Sequence, residues 1–467
     1  MRIAGLDQGT TSTRLLLLEA GTARIAQNVR HRQIYPRPGW VEHDPEELLE
    51  SIRVCLAAAQ DVEAIGLANQ GESCLAWDAR TGHPLSPVIV WQDSRTADEL
   101  AGLAAHGAEV MARAGLPLDA YFSASKLGWI MRNIPAAREA LRAGRLRLGT
   151  TDAFFLDRLA GEFATDVTTA SRTSLMNLET GQWDEALCRI FGVPMEALPE
   201  IRPCAGAFGE IGGVPVRAAM VDQQAALYGH GCRAAGDAKI TFGTGAFALA
   251  VTGTNIIRAP EKGLLPTIAW AKDGGRIYAL DGGVYDAGSA VDWAGRIGLF
   301  ADRAELAAFE AAPAISRGLA FVPALSGLAC PHWDRSGAGL FIGMGAQTSK
   351  RDMAQAVLEG IALRTAEVVA AMSAMVPIGG RLSVDGGLTR SPYFVQCLAT
   401  VLEREIICPD FDELTAFGVA CMAAGGEIAR PGGARLVAPG EGEAGAWRAR
   451  FAEAVARAKG WRTQSKG

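Results

Sequence analysis

The segment Asp7-Gln8-Gly9-Thr10-Thr11-Ser12-Thr13-Arg14 sets an acid, a glycine, four hydroxyls and an arginine between two apolar runs. A turn between strands needs glycine or a polar residue, and this one has more hydrogen-bonding capacity than turning requires. Its amides, the hydroxyls of Thr10, Thr11 and Ser12, and the Arg14 guanidinium can hold phosphate oxygens, while Asp7 can hold a magnesium ion. The plainer reading is a polar hairpin. Gly243-Thr244-Gly245 is a second small-residue turn where backbone N–H groups can approach phosphate, and Asp385-Gly386-Gly387 is a third, at the entrance to a helix. In Val221-Asp222-Gln223-Gln224 the carboxylate can take the proton of an attacking hydroxyl, or it can cap a helix that starts at Gln223. Spacing alone leaves both open.

Other motifs are absent or out of context. No Gly-x-x-x-x-Gly-Lys-[Ser/Thr] occurs, so this is not a P-loop enzyme. Residues 243–248 match the loose dinucleotide pattern, but residues 247–251 read as a strand where that fingerprint needs a helix. Ser123-x-x-Lys126 lacks companion motifs and reads as a helix start with Ser123 as its cap.

The elements that must position these residues follow from periodicity. Residues 3–6, 14–18 and 23–29 read as three antiparallel strands. Asp44-Pro45-Glu46-Glu47 carries N-cap and N1 signals, and Leu48, Leu49, Ile52, Leu56 and Ala59 continue at helical spacing. Residues 62–67 then read as a strand. The opening recurs at 238–242, 243–245 and 246–251, again strand, turn, strand. Two similar domains therefore face one another, joined near the glycine-rich stretch 229–236. Later, residues 351–375 form a long helix, and 381–385, 391–402 and 405–408 a strand–helix–strand unit, whose ligands sit at the strand's carboxyl end. The fold class is α/β.

Composition sets limits. The 467 residues suit two or three domains. With 49% hydrophobic and 21% charged residues the chain is globular, and a net charge of -6 favours neither nucleic acid nor an anionic membrane surface as partner. Nine scattered cysteines without a Cys-x-x-Cys pair suggest reduced thiols, and six dispersed histidines suggest no zinc site. No apolar stretch reaches the roughly 20 residues of a membrane span, so a cytoplasmic protein is expected. The basic residues Arg448, Arg450, Arg457, Lys459, Arg462 and Lys466 read as the solvated face of a terminal helix.

Several ordered blocks resemble the FGGY carbohydrate kinases and, within them, the glycerol kinase branch. They include residues 6–12, 33–45, 89–93 and 121–123, Ala170-Ser171-Arg172-Thr173, residues 222–227, Gly243-Thr244-Gly245 and Val384-Asp385-Gly386-Gly387. The resemblance implies two ribonuclease-H-like domains, 1–232 and 233–467, with the active site in the cleft between them. It implies ATP and Mg2+ as cofactors and a small polyol or sugar as substrate, with homo-oligomers possible. Asp222 matches the catalytic base and, with Asp7, the magnesium position. Thr11, Arg14, Gly243 and Thr244 match phosphate contacts, and Gly386 and Gly387 match adenosine contacts. Glu72, Trp91, Tyr121, Gln223 and Phe247 match the polyol pocket.

Departures bear on the substrate. Glycerol kinases usually carry arginine where this chain has Gly71, and a glycine cannot donate to substrate hydroxyls. Such a bond is worth about 1.5–3 kcal/mol. The vacated space suggests a tetritol, pentitol or ketose, unless another side chain or water fills it. Val221 replaces a usual glycine, Asp292 a glutamine near the nucleotide, and Ser391 an asparagine. The segment 209–214 lacks the loop used for sugar-bisphosphate inhibition, so no such regulation is expected. The alternatives are a pentulose kinase of the xylulokinase type and a non-catalytic ATP-binding protein on the same fold.

Overall fold

The computed structural model describes residues 1–426 and 428–462. The first half opens with strands β1 (Arg2–Gln8), β2 (Ser12–Glu19) and β3 (Thr22–Arg30), followed by helix α1 (Pro45–Ala57) and strand β4 (Ala64–Asn69). As its sequence signals, α1 is capped by Asp44, whose carboxylate accepts from the Glu46 amide, and it buries Leu48, Leu49, Ile52 and Cys55. Burial of each such aliphatic side chain contributes about 1.5–3 kcal/mol. A long insertion follows, carrying helices α2 (Ser123–Asn133) and α3 (Val167–Ala170) and three strands of a four-stranded sheet whose other strand, Glu42–His43, precedes α1. The chain then returns as β5 (Val214–Val221) and enters helix α4 (Asp222–Gly229). Just before β5, Gly212-Gly213, both at positive φ, close a two-residue hairpin between Ile211 and Val214.

The second half repeats the plan. Strands β6 (Ala238–Phe242), β7 (Ala246–Gly253), β8 (Leu265–Lys272) and β9 (Gly275–Val284) precede helices α5 (Gly288–Arg296) and α6 (Lys350–Ser373). Then come β10 (Leu382–Gly386), α7 (Pro392–Leu402), β11 (Ile406–Pro409), α8 (Leu414–Ala424), β12 (Ala434–Val437) and α9 (Ala444–Ala458). In the first sheet the order is β3-β2-β1-β4-β5 with a short edge strand beyond β5. In the second it is β8-β9-β7-β6-β10-β11-β12. The run β9-β7-β6-β10-β11 thus repeats β3-β2-β1-β4-β5. The repetition includes direction, antiparallel through the three opening strands and parallel from β1 to β4 and from β6 to β10. The duplication read from two similar openings therefore extends to a whole five-stranded core.

The halves exchange helices. Helix α8 follows the last parallel strand of the second half, yet it packs on β1, β4 and β5 of the first sheet and crosses α4. The approach is close enough to exclude side chains. A Cβ on Gly5 would lie 2.2 Å from the Ala416 carbonyl oxygen, one on Gly66 2.4 Å from that of Val419, and one on Gly418 1.8 Å from that of Ala225. One apolar core runs through this crossing, from Ile3 and Ala64 through Leu227 and Ile268 to Val419.

The C-terminal helix α9 buries Phe451, Ala454 and Val455. Its basic residues face solvent as the sequence suggests, with Arg450, Arg457, Lys459 and Arg462 exposed and Arg448 half-buried, yet several also bond the protein. Arg448 donates to the Val401 carbonyl and pairs with Glu403, Arg450 donates to the Ile315 carbonyl, and Arg462 to that of Leu325. Long arginine stems reach carbonyls that a sequence pattern cannot place. Lys466 lies outside the described residues.

Candidate active site

The carboxyl ends of β1, β5 and β6 meet at one cavity of about 180 Å3. All seven residues expected around the polyol line it (Gly71, Glu72, Trp91, Tyr121, Asp222, Gln223 and Phe247), together with Thr10 and Gly243 from the two hairpin turns. The third turn lies alongside, because Gly386 pairs with Phe242, the residue before Gly243.

Asp222 is the first residue of α4, and the N-cap is Val221. Its Oδ1 accepts the Gln223 amide at 2.7 Å, so it also serves the helix end. Burial raises its carboxyl to about 6, against the Gln223 amide, Lys239 and Arg172, which favour the charged form. A carboxylate with that affinity can take a proton near neutral pH. Asp7 lies across the ladder from Arg14. Burial first, then Asp222, lifts its carboxyl to about 7, and its Oδ1 is buried with no hydrogen-bond partner. Two half-buried acids, one with a buried, orphaned oxygen, are what a hard divalent cation would satisfy.

Glu72 sits at φ +57, a strained conformation for a non-glycine residue. Three contacts hold it there. The Ser123 hydroxyl donates to the Glu72 carbonyl at 3.0 Å, Arg172 Nε donates to its Oε1 at 2.7 Å, and the Ser73 amide bonds the Gly71 carbonyl at 2.7 Å. Burial raises the Glu72 carboxyl to about 7 despite Arg172. Ser123 is therefore not the cap of α2. Phe122 holds that position, and the serine hydroxyl instead fixes a pocket residue. The fully buried Lys126 completes the same support, its Nζ donating to the carbonyls of Tyr121 at 2.8 Å and Val90 at 3.4 Å. Trp91 Nε1 donates to Thr10 Oγ1 at 3.0 Å, and its ring meets Tyr121 edge-on at 5.6 Å. Thr10 thus orients an aromatic wall of the cavity.

The remaining expected residues divide. Arg14 Nη1 pairs with Glu413 Oε2 at 3.0 Å, Thr11 is exposed, and Ser12 is buried at the start of β2. The Thr244 carbonyl accepts the amides of Ala287 and Ser289, which pins the second turn to the start of α5. Asp292 is exposed and paired with Arg303, away from the cavity. The Ser391 hydroxyl is committed to capping α7, accepting from Phe394 and donating to the Leu306 carbonyl. Gly387 opens to free space, whereas Gly386 has φ +95 and a Cβ there would lie 2.3 Å from the Phe242 carbonyl oxygen.

Three residues acquire roles that the sequence reading did not assign. Arg172, inside a block singled out by resemblance, bridges the halves. It holds Glu72 on one side and Asp281 Oδ2 at 3.0 Å on the other. Burial opposes charge on this guanidinium, but Asp281 and Glu72 outweigh it and keep it protonated. Lys239, from β6, donates to Gln223 Oε1 and to Thr241 Oγ1. The space beside Gly71 is also partly filled. A Cβ there would lie 2.9 Å from Val221 Cγ2, so two departures noted separately in the sequence touch in the fold.

Among the described residues, no helix is long and apolar enough to cross a membrane. The N-terminal domain of the FGGY family of carbohydrate kinases matches residues 2–229, and its C-terminal domain matches residues 238–426. A glycerol kinase of Thermus brockianus is 42% identical over 439 residues, covering 90% of this chain and 88% of that one. A glycerol kinase of Haloferax volcanii is 39% identical over 453 residues, covering 90% and 89%. Among solved structures, Plasmodium falciparum glycerol kinase with ADP superposes with a TM-score of 0.88 at 28% identity, covering 98% of both chains. A xylulose-type kinase from Brucella ovis superposes with a TM-score of 0.86 at 26% identity, also covering 98% of each. With both of its halves matched and its cleft built as described, the chain belongs to the FGGY family of carbohydrate kinases, ATP-dependent phosphotransferases.

Proposed function

We propose that this protein transfers the γ-phosphoryl group of ATP to a hydroxyl of a small acyclic polyol, with Asp222 as the base. The observation that carries the reading is a half-buried, proton-accepting carboxylate at one wall of a cavity built for a polyhydroxy compound. Glu72, Gln223 and Arg172 offer acceptors and donors to hydroxyls, and Trp91, Tyr121 and Phe247 offer aromatic walls to C–H faces. Phosphoryl transfer proceeds through a loose transition state, so the base chiefly orients the nucleophile and takes its proton late.

Magnesium fits the acidic pair. Asp7 and Asp222 would hold it, and when bound it neutralises charge on the phosphate oxygens. Glycines with room for a side chain mark where ATP would lie. At Gly9 the nearest atom to an added Cβ is 3.4 Å away, at Gly243 it is 3.9 Å, and at Gly387 nothing lies within 4 Å. The fold does not require glycine at these three positions, whereas a phosphate or adenosine seated on bare backbone would. Arg14 and Thr11 would reach the phosphates from the first half. We place the domain boundary between residues 232 and 233, in the link from α4 to β6, and the protein in the cytoplasm.

ADP formation with magnesium-ATP and a panel of glycerol, dihydroxyacetone, erythritol, ribitol, xylitol, D-xylulose and D-ribulose tests the reading. Turnover well above the substrate-free rate is expected with at least one polyol. ATP that is bound but not consumed with any compound would overturn it in favour of a non-catalytic ATP binder.

A further inference from the structure

The polyol cavity continues past Phe247. A second cavity of about 60 Å3 adjoins it, and Tyr121, Arg172, Phe247 and Asp281 line both. Arg172 stands at the junction with Nε and Nη2 engaged by Glu72 and Asp281, while its Nη1 is buried without a hydrogen-bond partner. A buried N–H without an acceptor is costly, so this atom is poised for an oxygen that arrives with a ligand.

The charges define that oxygen. Arg172 is already flanked by two carboxylates, so no surplus positive charge is left to attract an anionic group. A neutral hydroxyl or carbonyl oxygen can accept from Nη1, and a hydroxyl can donate to Asp281. The opposite wall offers no substitute, because Gly71 has no side chain and Val221 closes that side with methyl groups. Hydrogen-bonding demand therefore shifts from the Gly71 side to the Arg172–Asp281 side.

Size and closure set the length. About 60 Å3 holds roughly two water-sized groups. At the outer end, Arg335 Nη2 meets Asp119 Oδ2 at 2.9 Å across the two halves, with its guanidinium 4.2 Å from the centre of the Tyr285 ring. We infer that the Arg172–Asp281 junction and the cavity beyond it form a distal subsite for the terminal hydroxyls of a four- or five-carbon acyclic polyol. This rests on the polyol kinase reading above and names its substrate class. The subsite takes one residue of its central ion pair from each half, so it is complete only when the halves are together.

The test compares kcat/KM for glycerol with that for erythritol, ribitol and xylitol, at saturating magnesium-ATP. In the unaltered protein a four- or five-carbon polyol is expected to exceed glycerol by at least tenfold, the gain of about one hydrogen bond to a charged group. Ala329→Leu, which fills the second cavity from its wall, and Asp281→Asn, which keeps the shape but removes the charge, are each expected to cut that ratio at least fivefold. If Ala329→Leu gives no cooperative melt, the ranking in the unaltered protein and Asp281→Asn still decide. Glycerol as the best substrate, or variants that lower every substrate by the same factor, would overturn the subsite and leave the kinase reading standing. Failure of every compound to release ADP would remove the kinase reading, and the subsite with it.

Discussion

The β1–β2 and β6–β7 hairpins hold equivalent places in two sheets of the same strand order, yet they bring different chemistry to the cleft. The first turn is flanked by charge, with Asp7 and Arg14 opposite one another on the ladder, and its Gly9 has ordinary room for a side chain. The second carries no charge between Phe242 and Ala246, and its frame is tight. A Cβ on Gly245 would lie 2.7 Å from the Val284 carbonyl oxygen, and one on Gly288 2.5 Å from that of Gly243. Duplication thus supplied one scaffold twice. One copy carries the charged side, to which we assign metal and proton, and the other a rigid backbone side, to which we assign phosphate. Removing charge from the first turn should therefore affect chemistry, and adding a side chain at Gly245 of the second should affect folding.

The largest expected effect is from Asp222→Asn. Losing a positioned base should lower kcat by about 10²–10⁴-fold. ATP affinity, measured by calorimetry, should stay within about twofold. A variant retaining more than a tenth of its activity would show that Asp222 does not act as the base.

Lys239→Met tests a buried cation that the second half extends toward the base. Lys239 holds Gln223, the neighbour of Asp222 in the cavity. Its loss should raise the KM for the polyol about tenfold or more, the effect of one hydrogen bond from a charged group, while the KM for ATP changes little. Equal rises in both constants would mean that Lys239 supports the fold rather than the polyol.

Glycine substitutions extend the contrast to the third turn, which lies beside the second. Gly386→Ala forces a side chain onto φ +95 and against the Phe242 carbonyl, so it should cost about 1–3 kcal/mol of stability. Gly9→Ala and Gly387→Ala meet no such obstacle and should melt like the unaltered protein. Both should nevertheless weaken ATP binding, if ATP rests on backbone there. Unchanged ATP affinity in both would break the link drawn between spare room and nucleotide contact.

How far the sequence reveals this molecule follows from distance along the chain. The hairpins, the Asp44-Pro45 cap and the strand–helix–strand unit from β10 to β11 are local patterns readable where they stand, and the residues that line the cavity lie in short blocks that the family resemblance picks out. What escaped depends on partners far apart. Arg172 meets Glu72 and Asp281, and Gly71 meets Val221, only after β4, β5 and β9 have been brought together. Ser123 looked like a cap because its local context fits one, but tertiary packing turned its hydroxyl to Glu72 instead. The exchange of α8 onto the first sheet is written only as small residues, Gly5, Gly66 and Gly418, whose purpose appears once the backbones touch.

That exchange yields the smallest expected effect and the sharpest question about the two halves. Helices α1 and α6 are equivalent crossovers, from β3 to β4 and from β9 to β10, and each begins with a side-chain cap, Asp44 on α1 and Ser349 on α6. Asp44→Ala and Ser349→Ala should each cost about 1 kcal/mol. The Ser349 hydroxyl, more than Arg317, also holds the Asp352 carboxyl down to about 2. Its share of stability is thus present above the ordinary value of 3.8 and is lost as pH falls through 2, so the cost should be the same at pH 7 and pH 5.5. If the halves unfolded separately, each substitution would shift only one of two calorimetric transitions. Because α8 belongs in sequence to the second half but is buried on the sheet of the first, neither half can keep its core when the other melts. A single transition that moves with either substitution is therefore expected, and two transitions, each answering to one cap, would show that the crossing does not couple the halves.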